Sequence, residues 1–331
     1  MTLRQTIVQA VLALAVAWSA AFAIACNVPV FRYALERWRP DVCQVIVFHD
    51  RELSEGEEAQ VQSLEQEQAA REGANIEIVR SRIQNESDRK RKELWTTLQV
   101  DSKVALPYVV IQTSLGSGQM VRHWSGNLAD AKKANLLRSP VRSELTRRLL
   151  RGDSVVWLML KSNDAEKDRS IRELLTAELD RLSKKIQLPD GIGLPGSELY
   201  SEVPLFVKFT ILELDPDDRQ EELLVKLMSG FETETRNETL LAPVFGRGRA
   251  LDVIPAKQLN AGLIEDLTMF LCGACSCQVK ERNPGFDLLL SANWNRELYG
   301  DEGEQPPEVT TLERAPSKPT LLTIPSGRKK E

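Results

Sequence analysis

Apolar and polar positions follow a regular order over residues 43–150. Short apolar runs of strand type are separated by stretches in which apolar residues recur at helical spacing. In chain order they predict a strand at 44–49, a helix at 54–71, a strand at 74–80, a helix at 85–98, strands at 106–112 and 119–126, and a helix at 127–137. The pattern therefore predicts an α/β unit with one central sheet.

The same order of elements returns in residues 151–299. The predicted elements are a strand at 154–162, a helix at 163–185, a strand at 204–214, a helix at 217–228, two strands joined by a turn at 242–254, and a helix at 260–272. The two halves meet near Gly152 and show no obvious identity. We therefore expect two tandem α/β domains related by an old duplication.

The element order resembles the thioredoxin fold, a mixed central sheet flanked by helices. Pro107 stands where that family carries a cis-proline before its third strand, and Pro243 holds the corresponding place in the second half. The resemblance therefore implies two tandem thioredoxin-like domains. The family's redox C-x-x-C belongs at the end of the first strand, but residues 49–52 read H-D-R-E and residues 161–164 read K-S-N-D. We accordingly expect no oxidoreductase activity and no catalytic residue at these positions.

The predicted organisation has four parts: a signal peptide or membrane anchor at 1–25, a first domain at 26–150, a second domain at 151–299 and a tail at 300–331. A short helix at 28–38 opens the first domain. The tail is rich in proline and charge and has few aromatic residues, so it is predicted to be disordered.

The N-terminus has the layout of an export signal. Arg4 precedes an uncharged run at 7–25, which ends in A-I-A and is followed by Cys26. Three interpretations stay open: a lipoprotein lipidated on Cys26, an uncleaved membrane anchor, and a cleaved signal peptide. The run is near the length that spans a bilayer, so hydropathy alone does not choose between them. Each interpretation places the rest of the chain outside the cytoplasm, on the periplasmic side of a bacterial membrane.

Composition argues against one class of partner. The chain has 331 residues, of which 42% are hydrophobic, enough to build two cores. Its formal net charge of -5 comes from acidic and basic residues spread along the chain, without a basic run that could track phosphates. We therefore expect no nucleic acid partner.

Cys272, Cys275 and Cys277 form the densest group of reactive side chains. An oxidising compartment permits a disulfide here, which would pin the end of the last helix, and this is the preferred interpretation. The same spacing would let thiolates converge on copper, or on zinc with a further ligand. Buried thiols are the third alternative. No other cofactor is expected, and Cys43, inside an apolar run, is predicted to be a small buried residue.

The remaining candidate groups have simple structural interpretations. Residues 246–249 read G-R-G-R between two predicted strands, so they are predicted to form a tight hairpin and not a phosphate loop. Their two arginines would nevertheless suit an anionic partner. His49 and His123 fall in different elements and lack a third ligand, so both are predicted to be structural.

The sequence also resembles an uncharacterised, lipoprotein-like family of exported proteins from planctomycete-type bacteria. Residues 26–38, 243–249 and 275–285 carry the resemblance, reading C-N-V-P-V-F-R-Y-A-L-E-R-W, P-V-F-G-R-G-R and C-S-C-Q-V-K-E-R-N-P-G. The resemblance implies family membership and no known activity.

Two functions are compatible with these patterns. The first is a membrane-attached, extracytoplasmic and non-catalytic module that binds a partner protein of the cell envelope, which the absence of C-x-x-C at both strand ends favours. The second is thiol-redox chemistry or copper or zinc handling by Cys272, Cys275 and Cys277.

Overall fold

The computed structural model describes residues 26–70, 74–101, 104–114, 120–133, 137–230, 238–276, 278–301 and 303–307. The predicted signal or anchor at 1–25 lies outside these residues, and so does the predicted tail from residue 308 onward. The described residues form two mixed sheets flanked by helices, which confirms the predicted α/β class. Within them, no helix has the length and apolar character needed to cross a membrane.

The elements follow each other closely along the chain. The helices are α1 (Val30–Arg37), α2 (Glu55–Ala69), α3 (Arg89–Asp101), α4 (Leu128–Lys133), α5 (Pro140–Leu150), α6 (Ala165–Lys185), α7 (Glu222–Ser229), α8 (Ala261–Cys272) and α9 (Trp294–Tyr299). The strands are β1 (Cys43–His49), β2 (Ile76–Arg82), β3 (Tyr108–Ser114), β4 (Met120–Asn127), β5 (Val155–Leu160), β6 (Phe209–Leu214), β7 (Leu240–Phe245), β8 (Arg249–Ala250), β9 (Ile254–Pro255) and β10 (Phe286–Asp287). The sequence pattern did not predict α5, α9, β9 or β10.

The first sheet has the strand order β2-β1-β3-β4. β1 and β2 are parallel, whereas β3 runs antiparallel to both β1 and β4. Side chains alternate across β1: Val45 and Val47 pack in one cluster with residues of α2 and α4, while Ile46 and Phe48 pack in another with residues of α3. This central strand is therefore buried on both faces.

The second sheet repeats this arrangement. Its order is β6-β5-β7-β8, with β10 added beyond β8, and β9 pairs with β7. β5 and β6 are parallel and β7 is antiparallel to β5, so the strand directions also match those of the first sheet. Every residue of β5 and β7 is buried.

Two helix starts follow the signals in the sequence. At the start of α2, the hydroxyl of Ser54 accepts from the Glu57 backbone N–H, and the Glu57 carboxylate accepts from the Ser54 backbone N–H. At the start of α8, the side-chain oxygen of Asn260 accepts from the Leu263 backbone N–H at 3.0 Å. The predicted helix starts at residues 54 and 260 are therefore confirmed.

The two prolines proposed as cis differ in conformation. The peptide bond between Leu106 and Pro107 is cis. The bond before Pro243 is not, so that prediction is wrong. β7 begins at Leu240, ahead of the predicted start, and this places Pro243 inside the strand, paired with Trp157 of β5, and not at its entry.

Two segments that precede β5 in the chain pack against the second sheet. α1 contributes Phe31 and Ala34 to the cluster that contains Trp157. α5 contributes Leu145 and Leu149 to the cluster on the other face of β5. A strand that is buried on both faces needs a cover on each side, and these two helices belong to those covers.

The segment after β10 links the two sheets. The Asn75 amide, just before β2, donates to the Leu288 carbonyl at 3.2 Å, and its oxygen accepts from the Leu290 backbone N–H at 3.2 Å. Arg142 of α5 donates to the Leu289 carbonyl at 2.8 Å. Residues 288–290 therefore pack against both halves of the protein.

Candidate functional site

The three stretches that carry the family resemblance meet in space. The Val30 backbone N–H donates to the Gly273 carbonyl at 3.0 Å, and the Cys275 backbone N–H donates to the Val28 carbonyl at 2.9 Å. Further along, the indole N–H of Trp38 donates to the Gln278 carbonyl at 2.9 Å. Residues 26–38 thus run beside residues 273–275 and residue 278. We call this region, together with the turn between β7 and β8 and the strand β10, the junction.

The turn between β7 and β8 holds the end of α1. The guanidinium of Arg247 donates to the Leu35 carbonyl at 2.7 Å and to the Glu36 carbonyl at 2.8 Å. These carbonyls lie in the last turn of α1, where helical partners are missing and a cation is favourable. Gly246 permits the approach, because a β-carbon there would lie 2.6 Å from the Ala34 side chain.

Asp287 of β10 is the centre of a buried ion-pair network. Its carboxylate accepts from Arg249 at 3.1 Å, from the Asp41 backbone N–H at 2.7 Å and from the Lys280 ammonium. The same ammonium lies 2.8 Å from the Asp41 carboxylate. Arg249 also donates to three backbone carbonyls of the turn at 283–285. The network therefore ties β8 and β10 to the segment that leads into β1.

The two carboxylates of this network differ in their pKa. Burial alone would raise the pKa of Asp287, but the cations of Lys280 and Arg249 outweigh it and hold the pKa below its usual value. Burial and the neighbouring Asp287 charge raise the pKa of Asp41, although the Lys280 cation opposes this shift. Asp287 is therefore the carboxylate that the fold holds in its charged form.

A second buried ion pair lies within α1. Arg32 donates to Glu36 at 3.0 Å, and both side chains are almost fully buried. Arg32 also donates to the Ser201 and Val203 carbonyls, and Glu36 accepts from the Tyr200 and Ser201 backbone N–H groups. This pair stabilises the loop that precedes β6.

The arginines of the hairpin are not available to a ligand. The predicted tight turn is confirmed, with the Gly248 N–H donating to the Phe245 carbonyl at 3.1 Å. Arg247 and Arg249 are only 7% and 6% exposed, and their N–H groups bond to the protein. The idea that they read an anionic partner is therefore wrong.

The cysteines lie in two apolar clusters. Cys26, Cys272 and Cys275 share the cluster that contains Trp157, whereas Cys43 lies in the cluster between the first sheet and α2. No disulfide joins these four cysteines to one another. Cys277 lies outside the described residues. Nor do the described residues include a group of three or more His, Cys, Asp or Glu side chains placed to hold a metal ion.

Two of these thiols are held in their neutral form. Burial raises the pKa of Cys272 to about 12. Burial also raises the pKa of Cys43 to about 11, although a hydrogen bond with Thr113 opposes the shift. Because the thiolate is the reactive and metal-binding form, both side chains are expected to be inert in the folded protein.

Alkylation tests this directly. In the reduced, folded protein at neutral pH, Cys43 and Cys272 are expected to react with iodoacetamide many times more slowly than after unfolding in urea. Peptide mass spectrometry after timed quenching measures each site separately. Equal rates for Cys272 in the two states would show that its thiol is accessible and reactive.

A buried polar chain that the sequence did not indicate runs through the first sheet. His123 Nε2 and Thr113 Oγ1 are hydrogen-bonded at 2.6 Å, and Cys43 lies opposite Thr113 across β1 and β3. Burial, with a smaller contribution from Arg142, lowers the pKa of His123 to about 4. Thr113 stands between a neutral imidazole and a neutral thiol, so this chain is not an activated thiolate–imidazolium pair.

The ends of β1 and β5 are filled by ion pairs and caps. After β1, the Arg51 guanidinium pairs with the Glu57 carboxylate at 2.8 Å. The backbone carbonyl of Arg51 is hydrogen-bonded to the His49 ring. After β5, Lys161 pairs with Asp215 at 2.7 Å, beside an open pocket of about 300 Å³. His49 and His123 therefore have separate structural partners.

A surface groove lies over the junction. It has a volume of about 410 Å³ and lies between residues 37–42 and residues 278–281. Trp38 forms part of its wall, Val42 exposes 52% of its surface there, and Glu281 lines the opposite side. The groove thus combines apolar and charged side chains over a floor that the Asp287 network fixes.

Comparison with protein-family models, with curated proteins and with solved structures gives no match.

Proposed function

We infer that the protein is a membrane-attached, extracytoplasmic and non-catalytic tandem thioredoxin-like module that binds a partner protein of the cell envelope. The observation that carries this proposal is the repeated sheet: both halves have the same strand order and directions, and neither has a cysteine after its first strand. In both halves, residues other than cysteine occupy the place of the redox C-x-x-C motif. Such a repeated scaffold suits binding.

The fold supports the thioredoxin-like part of the proposal to different degrees in the two halves. The first half has the expected strand order and a cis peptide bond at Pro107, next to the start of β3. The second half has the strand order with a trans Pro243.

The thiols support a non-catalytic role. Cys43 and Cys272 are buried, and burial raises the pKa of each. The junction supports binding. Its buried ion pairs form the floor of the groove, and Val42 and Glu281 line the open groove above it. A rigid, partly apolar groove suits a peptide segment of another protein.

Membrane attachment is tested by cell fractionation of the full-length protein and by palmitate labelling. The wild type is expected in the membrane fraction. If Cys26 carries a lipid, Cys26→Ala abolishes the palmitate label. If residues 1–25 are an uncleaved anchor, the variant stays in the membrane fraction and carries no label. Recovery of the wild type in the soluble fraction would contradict the proposal.

Partner binding is tested by cross-linking in cells. A photoreactive amino acid in place of Val42 or Glu281 is expected to give a discrete cross-linked protein band. The same amino acid in place of Thr97, on the exposed side of α3, is the control and is expected to give none. Identical patterns at all three positions would contradict a binding groove at the junction.

The alternative of thiol or metal handling rests on Cys272, Cys275 and Cys277. Cys26, Cys272 and Cys275 share one buried cluster, but these three described cysteines are not placed to hold a metal ion. Metal analysis of the purified full-length protein, together with thiol counting with and without reductant, distinguishes the two functions. Copper or zinc that is lost on Cys275→Ser would support the alternative. Two or more reducible disulfides, together with no copper or zinc bound under saturating metal, would exclude it.

A further inference from the structure

Three large apolar side chains are exposed close to where the described chain begins. Leu194 exposes 61% of its surface, Met269 47% and Phe270 40%. Among the described residues, Val42 and Phe206 are the other large apolar side chains with comparable exposure. Exposed apolar side chains that gather in one place indicate an interaction surface more strongly than scattered ones.

These side chains lie near the two ends of the segment 27–30. At its first residue, the Leu194 methyl and the Asn27 amide both lie within 4 Å of the point that a β-carbon on Gly191 would occupy. At its last residue, Val30 donates to the Gly273 carbonyl, directly after the last turn of α8, which contains Met269 and Phe270. The exposed apolar side chains therefore lie close to the first residues of the described chain.

The sequence that precedes this point is itself apolar. Residues 7–25 contain no charged side chain, and they join the described chain at Cys26. If these residues or a lipid on Cys26 hold the chain at a bilayer, as the proposed membrane attachment requires, Asn27 is next to the membrane surface. The side chains around Asn27 are then held at that surface by the covalent connection.

We propose that Leu194, Met269 and Phe270 form a membrane-contact face that rests in the interfacial region of the bilayer. This inference depends on the proposed membrane attachment and adds an orientation to it. A small apolar face binds a bilayer weakly by itself, but a tether raises its effective concentration at the surface, so that a weak contact is occupied most of the time.

The charges around the face point to apolar contact and not to attraction by anionic lipids. Arg181 and Lys185, in the last turns of α6, both pair with Glu265 of α8. Asp190 is exposed in the loop that carries Leu194. Because the nearby cations are neutralised, the contact is expected to be independent of lipid charge.

The experiment uses the full-length protein reconstituted in vesicles of phosphatidylcholine. A photoreactive amino acid replaces Leu194, Met269 or Phe270, one at a time, and Val42 and Thr97 serve as exposed control positions. Two quantities are measured: the fraction of protein that resists carbonate extraction, and the fraction that becomes cross-linked to lipid on illumination. The measurement is repeated with phosphatidylglycerol added to the vesicles.

Lipid cross-linking at the three face positions is expected to exceed that at the two controls several-fold, with no dependence on phosphatidylglycerol. Equal cross-linking at all positions in a carbonate-resistant protein would overturn the contact face and leave membrane attachment standing. Lipid cross-linking that appears only when phosphatidylglycerol is present would mean that lipid charge drives the contact. That result would overturn the proposed apolar contact. Protein that is fully extracted by carbonate would overturn the attachment, and the contact face with it.

Discussion

Replacement of Asp287 by asparagine is expected to lower the free energy of unfolding by about 3–5 kcal/mol, because removal of one partner leaves buried charges uncompensated. Asp287 is 3% exposed and accepts from Arg249, from Lys280 and from the Asp41 backbone. The amide preserves the shape of the side chain but removes its charge. The Asp41 carboxylate, 2.8 Å from the Lys280 ammonium, compensates in part and keeps the loss below the upper limit.

Urea unfolding at neutral pH, followed by tryptophan fluorescence, measures this loss. Glu93→Gln is the matched control, because it removes a carboxylate from an ion pair with Arg89 whose side chains are 62% and 90% exposed. Exposed pairs of this kind contribute little to stability because solvent screens them. A loss in Asp287→Asn no larger than in the control would mean that the network does not stabilise the junction.

The longer strands of both sheets could be predicted because their signals are local. Strand alternation and the helix starts at residues 54 and 260 depend on neighbouring residues, and these predictions hold in the structure. The two-residue strands β9 and β10 are too short to show alternation. α5 was missed although its signals are also local, because Ser139 caps its start and Leu145 and Leu149 lie four residues apart on its buried side.

The junction could not be derived from local patterns. Charged residues in a sequence usually indicate solvent-exposed positions, but Arg32, Arg247 and Arg249 are buried here because each finds carbonyl or carboxylate partners far away in the chain. The junction brings together residues 26–38, 243–249 and 278–287, which are far apart in the sequence and whose contacts no local pattern indicates.

Acidification from pH 7 to pH 4.5 is expected to cost the folded protein about 2–3 kcal/mol through His123 alone. Burial, and to a lesser extent Arg142, lowers the pKa of His123 from its ordinary value of 6.5 to about 4. Below pH 6.5 the unfolded chain takes up a proton that the folded chain refuses, so stability falls as the pH falls. The stabilising contribution is complete above pH 6.5 and is lost as the pH approaches 4.

Carboxylates titrate over part of the same range, so a variant is needed to isolate His123. His123→Gln cannot be protonated and keeps an amide group that can bond to Thr113, whose hydroxyl lies 2.6 Å from the imidazole in the wild type. Unfolding free energies of both proteins are measured in urea at pH 7 and pH 4.5. The wild type should lose about 2–3 kcal/mol more than the variant between the two values. A parallel decrease in the two proteins would mean that His123 is protonated in the folded state, and that the buried chain through Thr113 to Cys43 is open to water.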